Sequence, residues 1–106
     1  MQYPEGTRAL VTGALSGLGA ACVARFRSEG VEVLTLDMLE GADLVLDISD
    51  ESAVARAGKD AGPVDVLVNA AGIVGPNQPL SEISLADWRR TFQVNVEGTF
   101  LLCREF

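Results

Sequence analysis

The feature that most restricts the fold is a glycine-rich segment, Thr12–Gly19, which directly follows the apolar run Thr7–Val11. The run is typical of a buried strand, and apolar residues at helical spacing follow the glycines. A phosphate can rest on the N-terminal amides of a helix only where no Cβ blocks its approach. We therefore predict that Gly13 makes the tight turn, Gly17 the close approach and Gly19 the helix–strand packing. A glycine-rich turn without a ligand is the alternative.

Strand-like and helix-like stretches alternate along the rest of the chain. The predicted elements are a helix over Leu18–Glu29, strands at Val31–Leu36 and Leu44–Leu46, a helix from Ser49 to about Lys59, a strand at Val64–Val68 and a final helix from Leu85 to Phe106. This order predicts an α/β fold with a Rossmann-type parallel sheet and helices on both faces, as one domain over residues 1–106. Only six residues separate Asp37 from Leu44. This is too few for a helical crossover, so we predict a loop there.

Turn and cap signals support these helices. Gly30 is placed to end the first helix in a left-handed conformation. Ser49 is a candidate N-cap of the second helix, and Ser84 with Asp87 forms a capping pattern before the last. In that last helix, Trp88 and Phe92 continue at helical spacing through Val96 and Phe100, which predicts one apolar face.

Asp37 ends the second predicted strand, twenty residues after Gly17. A dinucleotide fold places there the acid that accepts hydrogen bonds from the adenosine ribose. The same carboxylate would repel the additional phosphate of NADP by about a few kcal/mol. Its neighbour Met38 and the turn residue Ser16 supply no positive charge. The predicted cofactor is therefore NAD, preferred over NADP, and a solvated acid at a strand end is the alternative.

Composition excludes several classes of partner. Eight basic and fifteen acidic residues give a formal net charge of -7, which opposes binding to nucleic acid or to an anionic membrane. The chain contains no histidine, and its cysteines, Cys22 and Cys103, are far apart. We expect both to be helical core residues and expect no metal site. Without a leader or a membrane span, a cytoplasmic protein is predicted.

These motifs together resemble the short-chain dehydrogenase/reductase family. Gly75–Pro76 and Trp88–Phe92 are similar to its 3-oxoacyl-carrier-protein reductase-like members or to its sugar-alcohol dehydrogenases. The Thr-Gly-x-x-x-Gly-x-Gly motif of that family is matched in full from Thr12 to Gly19, and Asn69–Gly72 is similar to its Asn-Asn-Ala-Gly, with Ala70 in place of the second asparagine. Asp47 and Ile48 resemble the pair that contacts adenine. Val94–Gly98 is similar to the segment with the catalytic asparagine.

The resemblance implies a set of site residues. Asn95 would be catalytic, holding a water that relays protons to a lysine. The implied cofactor-binding residues are Gly13, Leu15, Ser16, Gly17, Leu18, Gly19, Asp37, Asp47, Ile48, Asn69, Ala71 and Gly72. The alternatives are that Asp47 is an ordinary loop-capping acid and that Asn95 only satisfies helix backbone.

The hydride chemistry of the family needs a Tyr-x-x-x-Lys pair and a serine. The only tyrosine is Tyr3 and the only lysine is Lys59, so the pair is absent from this sequence. The chain is expected to be the cofactor-binding part of an NAD(P)-dependent oxidoreductase, truncated after its fourth strand and the following helix. By itself we expect it to be inactive, with a non-catalytic nucleotide-binding or structural remnant as the alternative. The complete enzyme would act on an alcohol or ketone and form a homo-oligomer.

Overall fold

The computed structural model describes residues 2–106. Its elements are, in order, β1 (Arg8–Thr12), α1 (Gly17–Ser28), β2 (Glu32–Asp37), β3 (Leu44–Val45), α2 (Glu51–Ala61), β4 (Val66–Asn69), a 3₁₀ turn (Leu80–Glu82), α3 (Leu85–Phe92), a π-helical segment (Gln93–Gly98) and α4 (Thr99–Glu105). The four strands form one parallel sheet in the order β3-β2-β1-β4. The predicted α/β Rossmann-type architecture is confirmed.

Helices cover both faces of the sheet, and a separate hydrophobic cluster lies on each face. On one face, Val11 of β1 packs with Ala14 and with Val23 of α1. On the other, Leu10 and Leu36 pack against α2 and the final helix, in a larger cluster with Ile48, Val54, Val94, Leu101 and Leu102. Because alternate strand residues point to opposite faces, neighbours such as Leu10 and Val11 serve the two clusters.

The crossover from β2 to β3 is a loop, as predicted from its length. Asp43 holds this loop to β2, because its Oδ2 accepts hydrogen bonds from the Thr35 amide at 2.9 Å and the Thr35 hydroxyl at 3.0 Å. The Asp43 amide donates in return to Thr35 Oγ1 at 2.9 Å. One carboxylate and one hydroxyl thus satisfy the polar groups of a crossover that is too short for a helix.

The predicted helix ends are partly confirmed. Gly30 follows α1 with a φ of 77°, and Ser84 Oγ accepts from the Asp87 amide at 3.1 Å. The prediction that Ser49 caps α2 is wrong, since Asp50 is the cap and accepts from the Ala53 amide. Both residue types cap helices well, and the Ser49 hydroxyl is instead hydrogen-bonded to the Asp47 carboxylate.

The predicted apolar face of the final helix is not the buried one. Trp88, Phe92, Val96 and Phe100 lie in one row and are each 47–58% exposed. The buried face consists of Val94, Gly98, Leu101 and Leu102. This helix has two apolar sides, and periodicity alone does not distinguish the side that meets the sheet.

Candidate functional site

A cavity of about 300 Å³ lies where the strands end at their carboxyl side. It is lined by Gly13, Ser16, Gly17, Leu18, Leu36, Asp37, Met38, Leu46, Ile48, Ala70, Ala71, Gly72, Ile73 and Val94. Open parallel α/β sheets bind ligands outside this end of their strands. Eight of the predicted site residues are in this lining, and Leu15, Gly19, Asp47, Asn69 and Asn95 are not.

The glycines of the turn meet the steric demands that their spacing predicts. A Cβ on Gly19 would lie 2.0 Å from the Gly13 carbonyl oxygen, so only glycine lets α1 start this close to β1. Gly13 has a φ of 61°, and a Cβ there would lie 2.8 Å from the Ala70 oxygen. Gly17 differs, because a Cβ on it would meet no protein atom within 4 Å. The protein itself therefore does not fill the space next to Gly17.

The N-terminus of α1 opens toward this space. Ser16 is the N-cap, but its side chain makes no capping hydrogen bond, and the first turn contains no acidic residue. The first N–H groups of a helix have no partner within the helix and carry its partial positive charge. The start of α1 is thus free to bind an anion through its backbone.

Asp37, the last residue of β2, also lines the cavity and is held by backbone donors. Its Oδ2 accepts from the Leu15 amide and its Oδ1 from the Leu39 amide, each at 3.1 Å. Each oxygen keeps further lone pairs for additional donors. None of the residues lining the cavity carries a positive charge. Leu15, predicted as a cofactor-binding residue, therefore acts through its backbone amide, which orients the Asp37 carboxylate.

Asp47 does not line the cavity, whereas its neighbour Ile48 does. Asp47 Oδ1 accepts from the Ser49 amide at 2.9 Å and the Ser49 hydroxyl at 2.8 Å, and Oδ2 accepts from Arg90 Nη2 at 2.7 Å. Partial burial favours a raised pKa for Asp47. The hydrogen bonds from Ser49 and Arg90 outweigh it and leave the pKa below its ordinary value.

The segment after β4 is held through the buried hydroxyl of Thr12. This hydroxyl accepts from the amides of Ala70 and Ala71, both at 3.1 Å, and donates to the Val68 carbonyl at 3.4 Å. Asn69 lies outside the cavity, and its amide donates to Cys103 Sγ at 3.6 Å. The expectation that both cysteines are core residues is wrong for Cys103, which is exposed on α4.

Asn95 lies in the π-helical segment and pairs with one residue of the loop that follows β4. Its Oδ1 accepts from the Ile73 amide and its Nδ2 donates to the Ile73 carbonyl, each at 2.8 Å. The Asn95 side chain therefore binds a neighbouring loop and does more than satisfy helix backbone. Within the helix, the Asn95 backbone carbonyl accepts from the Thr99 hydroxyl at 3.1 Å. Single-turn π segments are frequent at functional sites.

Several residues that line the cavity were not among the predicted site residues. Leu36, Leu46 and Val94 lie beside predicted site residues and line the cavity with apolar surface. Their apolar character indicated core, and no motif marks them. Within residues 2–106, no helix is long and apolar enough to cross a membrane, and no group of three potential metal ligands occurs.

Comparisons with known proteins identify relatives of this chain. A family model described as short chain dehydrogenase matches residues 7–106. The D-threitol dehydrogenase of Mycolicibacterium smegmatis is 36% identical in an alignment that covers 94% of this chain and 46% of that protein. The cis-4-hydroxycyclohexanecarboxylate dehydrogenase of Sinomonas cyclohexanicum is 38% identical over 88% of this chain and 45% of its own length. The chain spans about half the length of these relatives.

Solved structures show the same likeness. A 3-ketoacyl-ACP reductase from Sinorhizobium meliloti superimposes with a TM-score of 0.84 at 32% identity, covering 92% of this chain and 46% of that one. A structure described as an NAD(P)-dependent gluconate 5-dehydrogenase from Beutenbergia cavernae, with bound NADP, gives 0.84 at 33% identity over 95% and 47%. The chain belongs to the short chain dehydrogenase family.

Proposed function

We propose that this chain forms the cofactor-binding part of an oxidoreductase that transfers hydride between a nicotinamide dinucleotide and an alcohol or ketone. The observation that carries the proposal is one cavity whose lining includes both an uncapped helix N-terminus and an oriented carboxylate. A dinucleotide presents the matching groups, a pyrophosphate and an adenosine ribose, in one molecule. The cofactor supplies the hydride chemistry when it is bound.

The residues present fit the phosphate end of such a cofactor. With a net charge of -7 the chain has no basic field, so an anion must be held by local backbone. The amides of Gly17, Leu18 and Gly19 begin α1, and no side chain caps them. Because no protein atom lies beside Gly17, a phosphate can come within hydrogen-bond distance of these amides.

The ribose end favours NAD over NADP. Asp37 is oriented by two amides and keeps acceptor capacity for ribose hydroxyls. A 2′-phosphate at the same position would meet this carboxylate with no cation in the cavity lining to offset it. The neighbour from Beutenbergia cavernae is described as NAD(P)-dependent and contains NADP. In this chain the proposed preference for NAD rests on Asp37.

In the chemical step, Asn95 would act within a proton relay, as the family resemblance implies. Its pairing with Ile73 fixes the π segment against a wall of the cavity. Tyr3 packs against the Phe26 ring, Lys59 lies in the last turn of α2, and neither lines the cavity. The 106-residue chain would thus bind nucleotide without turning over substrate.

The relatives are named as dehydrogenases of D-threitol and of cis-4-hydroxycyclohexanecarboxylate, which both carry hydroxyl groups. We propose an alcohol, or the corresponding ketone, as the substrate class of the complete enzyme. The exposed apolar row of Trp88, Phe92, Val96 and Phe100 supports a homo-oligomer. The unpaired cysteines support a cytoplasmic location.

Calorimetric titration of the chain with NAD and NADP tests the proposal. We expect NAD to bind at least about tenfold more tightly, a difference of about 1.4 kcal/mol. Asp37→Asn should remove most of that difference. Glu40→Gln is the matched control, because it deletes a nearby exposed acid outside the cavity lining. Equal affinities in the unsubstituted chain, or equal effects of the two substitutions, would contradict the proposal.

A further inference from the structure

Arg90 on α3 connects the final helix to the segment that follows β3. Its Nη2 donates to Asp47 Oδ2 and its Nη1 to Ser49 Oγ, both at 2.7 Å. The Ser49 hydroxyl in turn donates to Asp47 Oδ1 at 2.8 Å. One guanidinium thus reaches two side chains, using the planar, forked arrangement of donors that lysine lacks.

The segment held by Arg90 forms one wall of the cavity. Leu46 and Ile48 line it, and the Leu46 amide donates to the Asp37 carbonyl at 3.1 Å. Arg90 contacts Asp47, which lies between Leu46 and Ile48, and Ser49, which follows Ile48. Polar contacts on one side of the segment therefore set where its apolar side chains stand on the other.

The same helix touches this wall again one turn beyond Asn95. A Cβ on Gly98 would lie 2.6 Å from Ile48 Cδ1, so the helix and Ile48 are in direct contact. Arg90 and Gly98 contact the segment at two points along one helix, and Asn95 between them holds Ile73, which also lines the cavity. The helix thus contacts two different segments of the cavity lining.

We propose that Arg90 is a positioning residue for nucleotide binding. Its forked contact keeps Leu46 and Ile48 in the arrangement that receives the adenosine part, and it joins that wall to the helix carrying Asn95. The inference depends on the nucleotide-binding function proposed above. Without Arg90, Asp47 Oδ2 and the Ser49 hydroxyl each lose a charge-assisted partner, and the segment gains alternative arrangements.

Arg104 provides a matched control on the same helix. It is as exposed as Arg90, at 42% against 41%, and its Nη2 donates to Glu51 Oε2 at 3.0 Å. Like Arg90 it joins the final helix to a neighbouring segment, but neither Arg104 nor Glu51 lines the cavity. A role confined to helix docking would make the two arginines equivalent.

The test is calorimetric titration with AMP and, separately, with inorganic pyrophosphate. If Arg90→Met leaves about one molecule in ten with the wall correctly placed, the Kd for AMP rises about tenfold. The Kd for pyrophosphate, which needs only the α1 N-terminus, should stay within about twofold. Arg90→Lys should recover part of the AMP affinity, since it restores a charge without the fork. Arg104→Met should leave both affinities unchanged.

The outcomes separate the two proposals. Binding of neither ligand by the unsubstituted chain would refute the nucleotide-binding function, and the role of Arg90 with it. Normal AMP binding by Arg90→Met, or equal losses in Arg90→Met and Arg104→Met, would overturn the positioning role alone. Parallel loss of AMP and pyrophosphate affinity in both Arg90 variants would show general disruption and would also overturn it.

Discussion

Replacing Gly17 by alanine separates the conformational demand of the glycine turn from its binding role. Gly17 has a φ of 52°, and Gly6, outside the site, has a φ of 84°. A Cβ on either residue would meet no protein atom within 4 Å, so neither substitution creates a steric clash within the protein. The cost to folding then comes from the left-handed backbone alone, about 1–2 kcal/mol in each case.

The two variants should therefore differ in binding and not in stability. In a domain of this size each kcal/mol lowers the melting temperature by roughly 4–8 °C, so both should melt lower by similar amounts. Of these two glycines only Gly17 lines the cavity, and a methyl group there would stand where a phosphate approaches α1. We expect Gly17→Ala to raise the Kd for ADP at least about tenfold, or about 1.4 kcal/mol.

Thermal unfolding and calorimetry with ADP measure the two effects independently. Gly6→Ala should bind ADP like the unsubstituted chain, and ADP should raise its melting temperature equally. Unchanged ADP affinity in Gly17→Ala would show that no phosphate rests on this turn. A similar loss in both variants would attribute the effect to stability and refute the reasoning as well.

Three further predictions follow from other parts of the molecule. In the complete enzyme, Asp37→Ala combined with Met38→Arg should shift the ratio of kcat/KM values toward NADP, because repulsion is removed and a guanidinium can pair with the phosphate; an unchanged ratio would place the ribose elsewhere. The chain itself should form no NADH from alcohols at any pH, and turnover by pure protein that a Gly13→Val variant lacks would disprove this. Because the folded-state pKa of Asp47 is lowered, its stabilisation is present above the unfolded pKa of about 3.9 and is lost as the pH falls through the folded value. Urea unfolding should show Asp47→Asn less stable at pH 7 by about 1 kcal/mol or less, with the gap closing below pH 4; a gap independent of pH would contradict the assignment.

Much of the fold could be predicted from local signals. Glycine spacing located the turn between β1 and α1, and counting the residues from Asp37 to Leu44 was enough to exclude a helix in that crossover. Such features depend on chain length and backbone sterics, which are visible in a short window of sequence. The glycines and Asp37 of the candidate site could be predicted from the sequence for the same reason.

The rest depends on contacts between distant segments. Arg90 and Asp47 are 43 residues apart, and Asn95 and Ile73 are 22 apart. No periodicity relates the members of either pair, so Asp47 and Asn95 could be predicted from the family resemblance while their partners could not. The buried face of the final helix could not be predicted for a similar reason. The helix has two apolar sides, and only packing against the sheet determines which of them is buried.

Amide chemical shifts of the isotope-labelled chain during titration with ADP test the central claim most directly. If the pyrophosphate rests on the start of α1, the largest shifts should occur at Gly17, Leu18 and Gly19, with a second group around Asp37. The amides of α2 and of the exposed end of α4 should change little. Shifts centred anywhere else, or none at millimolar ADP, would contradict a nucleotide site at this turn.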